Sequence, residues 1–290
     1  MRKATRAHLV IIDPQNDFCD LPESYRPRPT GTETVAPSLP VPGAHADMLR
    51  VAQLIDRGGA GLNKIWVTLD SHHHIDIGHP TFWQTPDGGP VAPFTTISAA
   101  DVRRGRFQPR WRDAGPRVLA YLEALEASGR FTHMVWPIHC EIGTWGHGVH
   151  ADVRLACNRW EEAHLTNVEM VTKGANPWTE HYSAIRAEVP DPEDDATQSN
   201  RAFLDELRQA DRVYITGEAG SHCVRATTEH IVAAFAEQGD DLSKLALVTD
   251  CMSPVAGFEA PYADFLSQMK ARGLSRATSP EVVAELVGRP

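Results

Sequence analysis

The sequence predicts an α/β protein with a Rossmann-like central parallel sheet flanked by helices on both faces. Two observations predict it. Short runs that are apolar on nearly every residue recur along the chain, as expected of strands buried on both faces. Stretches with the spacing of amphipathic helices lie between several of them. In order, "HLVIID" (8 to 13) is the first strand, and Met48, Val51, Leu54 and Ile55 mark one face of the helix that follows. "KIWVTLD" (64 to 70) is the second strand, and "HMVWP" (133 to 137) is another, preceded by a helix carrying Val118, Leu119, Leu122 and Leu125. "VEMVTK" (168 to 173) and "RVYITG" (212 to 217) continue the set. A helix with Val224, Ile231, Ala234 and Phe235 then leads to "LALVTD" (245 to 250).

The chain has 290 residues, 42% of them hydrophobic and 23% charged, which is ordinary globular composition and enough for a large core. One domain over 1–290 is expected, with loop insertions at about 20–37 and 84–114. "DLPESYRPRPTGTETVAPSLPVPG" (20 to 43) is rich in proline, glycine and threonine and has no periodicity, the second stretch carries the turn signal "TPDGGP", and "EVPDPEDDATQSN" (188 to 200) reads as an acidic surface segment. A net charge of -10 argues against a nucleic-acid backbone or an anionic membrane as main partner. A small molecule or another protein is expected instead, with a homo-oligomer left open. No apolar run approaches the ~20 residues that span a bilayer, and the basic start "MRKATRAHLVII" meets Asp13 before a signal-peptide core could form, so the chain is expected in the cytoplasm. Five scattered cysteines without a CxxC pair fit reduced thiols.

Asp13, Asp70, Lys173, the "GEAGSHC" turn and Asp250 all close apolar strands. The carboxyl ends of parallel strands are where open α/β sheets bind ligands, so these residues should converge. Cys223 follows a strand and a small-residue turn and opens a helix, where the helix dipole and free N–H groups favour a thiolate and can hold an oxyanion. A buried structural thiol is the alternative. A cysteine nucleophile needs a proton acceptor and a stabiliser of negative charge, for which Asp13 and Lys173 are the candidates. In "TLDSHHHIDIGHP" (68 to 80), the two-residue alternation of a strand puts Asp70 and His72 on one face and His73 on the other. Carboxylate with imidazoles suits Zn, Mn or Fe(II), though a solvated loop is equally open on the residues alone.

Five stretches in this order, "VIIDPQNDFC", "VTLDSHHHIDIGHPTFW", "WPIHCEIGTWGH", "VTKGANPWTEHYSAI" and "ITGEAGSHCV", resemble the nicotinamidase branch of the isochorismatase-like cysteine hydrolase superfamily over about residues 8 to 256. The resemblance implies Asp13 as general base, Lys173 as catalytic lysine and Cys223 as nucleophile. It implies a cis peptide at Glu218–Ala219 and an oxyanion hole from the Ala219 and Cys223 N–H groups. It implies one divalent metal, zinc foremost with manganese and iron as alternatives, on Asp70, His72, His79 and His139, with His74 as the substitute for His79. Phe18 and Trp136 match aromatic positions of the family's pyridine pocket. His147, His150 and His181 are expected to be structural or at the surface. "AGSHC" departs from the family's usual approach to the cysteine, with Gly220 and Ser221 in place of threonine and aspartate.

The expected activity is hydrolysis of nicotinamide or a close heteroaromatic amide through a Cys223 thioester, within NAD metabolism. The alternatives are a related amidohydrolase of another small amide or ureide, a metal-bound hydroxide as nucleophile with a structural Cys223, and a non-catalytic metal-stabilised binding protein.

Overall fold

Strand and helix alternate through residues 6 to 30 and 34 to 288, the part of the chain that this computed structural model describes. Positions 31 to 33 of the expected 20–37 insertion, and the first five residues of the basic start, lie outside the described residues. In chain order the elements are β1 (Ala7–Ile12), α1 (Ala44–Gly58), β2 (Lys64–Asp70), β3 (Trp83–Gln84), β4 (Thr95–Thr96), α2 (Ala99–Arg103), β5 (Gln108–Pro109), α3 (Gly115–Ser128) and β6 (Met134–Val135). Then come α4 (Ala151–His164), β7 (Glu169–Lys173), α5 (Arg201–Gln209), β8 (Arg212–Gly217), α6 (Arg225–Gln238), β9 (Leu245–Val248), α7 (Glu259–Ala271), β10 (Ser275–Ala277) and α8 (Ser279–Val287).

The central sheet has 6 strands in the order β10-β9-β8-β1-β2-β7, and every neighbouring pair is parallel. From β1 the chain steps to β2 on one side, and from β8 it steps to β9 on the other. Right-handed crossovers therefore put α1 and α6 on opposite faces. α1 packs against α4 and α8, and α6 against α5 and α7. β1 and β8 are buried along nearly their whole length, as the apolar runs predict.

Three expectations are corrected. "HMVWP" does not enter the central sheet: only Met134 and Val135 are extended, paired antiparallel with Thr95 and Thr96. Pro137 ends the run by removing a backbone donor, and the 84–114 segment supplies the partner strand. That segment is not plain loop either. It forms β3, β4, β5 and a short α2 closed by a Ser98–Asp101 capping box, and it buries Val91, Ile97 and Ala99 with α3 in a second apolar cluster. The sixth sheet strand is β10, whose "SRA" is half exposed and carries no apolar run to betray it. β7 is also an edge, with Glu169, Met170 and Thr172 exposed and Lys173 buried.

Candidate active site

The direction of chain travel reverses between β1 and β8, and this switch point opens a crevice at the strands' carboxyl ends. Asp13 leaves β1 there, Asp70 closes β2, Lys173 closes β7 opposite Asp70 in register, and Cys223 stands in the tight turn between β8 and α6. The backbone is forced to make the crevice. Asp13 (φ 48°), Cys140 (φ 47°) and Ala219 (φ 52°) hold the left-handed conformation that non-glycine residues avoid, three of the five such residues among those described. Gly217, paired with Ile12, has φ 130°, and a Cβ there would fall 2.0 Å from the Ile12 carbonyl oxygen. Only glycine admits that approach. No cis peptide bond occurs among the described residues, so the expected one at Glu218–Ala219 is not found; left-handed Ala219 makes the turn.

Lys173 is the hub of the buried charges. Its Nζ lies 2.9 Å from Asp13 Oδ2, 2.9 Å from Asp70 Oδ1 and 3.7 Å from Cys223 Sγ. Burial disfavours the ammonium, but Asp13, Asp70 and Cys223 outweigh it and hold Lys173 well above the usual lysine range. Thr68 Oγ1 donates to Asp13 Oδ1 (2.6 Å) and accepts from the Asp13 N–H (3.0 Å), which fixes the carboxylate. Asp13, Asp70 and Cys223 each bring a ligand-type atom within 4.8 Å of the other two. Burial pushes the Cys223 thiol well above its ordinary range against the pull of Lys173, and Asp13 adds to the rise. Burial thus works against the thiolate expected from the helix dipole, while Lys173 works for it.

Asp70 joins this group to a second one. Its Oδ2 lies 3.0 Å from His72 Nε2 and 3.6 Å from His139 Nε2. The rings of His72, His79 and His139 face one another with centroids 4.8 to 5.3 Å apart, and one nitrogen of each lies within 4.8 Å of the others. His72 Nδ1 is held by Asp76 at 3.1 Å, and His139 Nδ1 donates to the Pro137 carbonyl at 2.8 Å. Both rings thereby turn Nε2 toward Asp70; burial disfavours the His72 imidazolium, but Asp70 and Asp76 outweigh it and hold it well above the usual range, so a cation bound there would take the place of its proton. His79 Nδ1 is buried without a hydrogen-bond partner. Burial, with His139 and His72 beside it, pushes His79 down to about 3, so it is a neutral ring with a lone pair to give. Three imidazoles and a carboxylate fit a divalent ion of the zinc, manganese or iron type. His74 does not join them: it is exposed and bonds Glu141.

No protein-family model matches the sequence, and no curated protein matches it. Solved structures do match. A yeast nicotinamidase bound to the inhibitor nicotinaldehyde superposes with a TM-score of 0.60 at 20% identity, over 94% of this chain and 99% of that one. A nicotinamidase and pyrazinamidase of Acinetobacter baumanii gives 0.58 at 20% identity, over 97% and 100%. A pyrazinamidase of Pyrococcus horikoshii in complex with zinc gives 0.52 at 20% identity, over 94% and 99%. The chain has the nicotinamidase fold.

Within the nicotinamidase fold the crevice narrows to a small cavity. Cys223, Ala219, Asp70 and His139 line it, and Phe18, Trp136, Tyr182 and His222 supply aromatic walls. Phe18 lies edge-on to His139 at 5.4 Å, and the Trp136 indole donates to Tyr182 Oη at 3.0 Å. Leu39, from the irregular 20–43 stretch, and Val255 add apolar surface. Glu180 also lines the cavity; burial pushes its carboxyl up to about 8, and Oε2 has no hydrogen-bond partner.

Of the strand-end residues expected to converge, Asp13, Asp70, Lys173 and Cys223 come together and Asp250 does not: its carboxylate caps α8 at Ser279. His147, His150 and His181 bond Ser71, the start of α4 and the Gly174 N–H respectively, as structural histidines do. Sequence reasoning missed several members. Thr68 sits two residues before Asp70 on the same strand face and was readable from the alternation. Gln15 grips the Asp70 backbone at both N–H (2.7 Å) and carbonyl (2.8 Å), and Asp76 stands four residues after His72; neither contact has a sequence pattern. Gly174 (φ 85°) clears room for the Asp70 carboxylate, 2.8 Å from where its Cβ would lie.

Proposed function

We propose that this protein is a metal-dependent cysteine amidohydrolase that converts nicotinamide, or a close heteroaromatic amide, to the acid and ammonia. The single observation that carries the reading is the Lys173 hub, which gathers Asp13, Asp70 and Cys223, the last two of them in the lining of one aromatic-walled cavity. The fold shared with nicotinamidases supports it.

The cycle starts from Cys223 as a thiol, the form that its burial favours. As its sulfur attacks the amide carbonyl, Asp13 takes the proton, and the Ala219 and Cys223 N–H groups with Lys173 stabilise the oxyanion. Collapse of the tetrahedral species breaks the C–N bond, and Asp13 returns the proton to the departing nitrogen, which leaves as ammonia. A water molecule that gives its proton to Asp13 then cleaves the thioester. The acid leaves and Asp13 reprotonates the sulfur. Lys173 stays charged throughout, its ammonium offsetting the carboxylates that would otherwise repel the developing oxyanion. Asp70, His72, His79 and His139 would hold the divalent ion, zinc by analogy with the Pyrococcus horikoshii pyrazinamidase. When bound it supplies a Lewis-acid contact for a ring nitrogen of the substrate, directly or through water. Phe18, Trp136 and His222 sandwich the ring and exclude solvent.

The test is ammonia release from nicotinamide, pyrazinamide and carbamoyl or ureido compounds by the metal-loaded protein and by Cys223→Ala. Release from the pyridine amides that disappears in Cys223→Ala is expected. Turnover confined to ureido compounds would move the chain to another branch of the chemistry, and full activity in Cys223→Ala would sink the cysteine mechanism.

A further inference from the structure

Phe94 is a residue in the wrong place for its own comfort. It follows Pro93 in a turn at φ 63°, a position that glycine or asparagine normally takes, and a bulky side chain there is strained. Its ring is not repaid by burial, for the residue is 55% exposed. Folding alone explains neither feature, and strain of this kind gathers where ligands are held. The ring stands edge-on to Trp136 at 6.0 Å and 84°, and Trp136 is a wall of the catalytic cavity. Phe258 approaches the same indole at 6.3 Å, and Leu39 and Val255 line the cavity beside it. An apolar rim thus continues outward from the cavity through Trp136 to an exposed aromatic face. Phe94 is outside the cavity's own lining, so a substrate confined to the cavity leaves that face unused.

We propose that Phe94 is a specificity-determining residue which, with Trp136, clasps an apolar extension of the substrate ring, so that ring-extended heteroaromatic amides are this enzyme's preferred class. The proposal rests on the amidohydrolase reading above and adds the substrate class to it. Quinoline-3-carboxamide, which is nicotinamide with a fused benzene ring, is the probe. For the wild-type holoenzyme, Phe94→Ala and Phe94→Gly, kcat/KM is measured with quinoline-3-carboxamide and with nicotinamide. The ratio of the two is expected to favour the quinoline in wild type and to fall about tenfold in both variants, the size of one lost aromatic contact. The Tm of Phe94→Gly is expected to hold or rise, since glycine relieves the left-handed backbone. A ratio that stays within about twofold of wild type, or a Phe94→Gly variant that loses Tm as a packing residue would, overturns the proposal. If wild type hydrolyses neither amide, the amidohydrolase reading fails separately, and Phe94 is judged by binding followed through tryptophan fluorescence. Quinoline-3-carboxamide binding about tenfold more weakly to Phe94→Ala then supports it; equal binding, or none to wild type, overturns it.

Discussion

Lys173 is the residue on which most of the site depends, and its loss should be felt in stability before activity. Replacing it with methionine leaves Asp13 and Asp70 buried without their shared cation, a change expected to cost about 3–5 kcal/mol; urea denaturation of the variant checks this. Asp13→Asn keeps the shape but removes the proton acceptor, and kcat for amide hydrolysis is expected to fall about 10²- to 10⁴-fold with little change in KM. Around the histidines, Asp76→Asn should weaken metal binding about 10- to 100-fold, because Asp76 fixes the His72 ring and raises its basicity. His74→Ala should leave metal affinity as it was, which titration with a chelator in competition would report.

At the scale of elements, the turn from β8 into the helix is set by Gly217. Gly217→Ala would drive a methyl group into the Ile12 carbonyl and separate β8 from β1, so the expected result is a loss of well over ~1 kcal/mol, seen as a lowered Tm. The legible part of the fold was its buried part. β1, β2, β8 and β9 announce themselves because both faces are covered, and each lies where its apolar run stands. β10 was silent because an edge strand needs no apolar run, and "HMVWP" misled because an apolar pentapeptide does not say which strand it pairs with. The site divides the same way. Asp13, Asp70, Lys173 and Cys223 were readable as polar ends of apolar strands, and Thr68 could have been. The grip of Gln15 on the Asp70 backbone, Glu180 in the cavity and the strain at Phe94 were not, because they depend on loops whose paths no periodicity records.

For the molecule as a whole, buried histidines make folding sensitive to acid. His8, His133 and His150 are pushed down to about 4, and His181, His222 and His230 to about 3, burial being the leading cause for all six. Their folded values lie below the unfolded value of ~6.5, so the unfolded chain takes up protons that the folded one refuses. Each contributes stability that is present above pH ~6.5 and is lost as pH falls toward its folded value. Glu180, Glu188 and Glu218, raised by burial to about 8, to about 7 and well above the usual range, work in the opposite sense, as do Asp47, raised by burial, and His72, raised by Asp70 and Asp76 against burial, but these five are fewer than the lowered histidines. The urea midpoint is therefore expected to drop between pH 6.5 and 4.5; a midpoint that rises over this window would contradict the balance. One further property follows from Asp70, whose two oxygens serve Lys173 on one side and the histidine trio on the other. The proposed nucleophile and the proposed metal centre share a single joint. Asp70→Asn and Cys223→Ala, or Asp70→Asn and His139→Ala, should therefore combine to much less than the sum of their separate effects. A variant tuned for a different ion will find its thiol retuned as well.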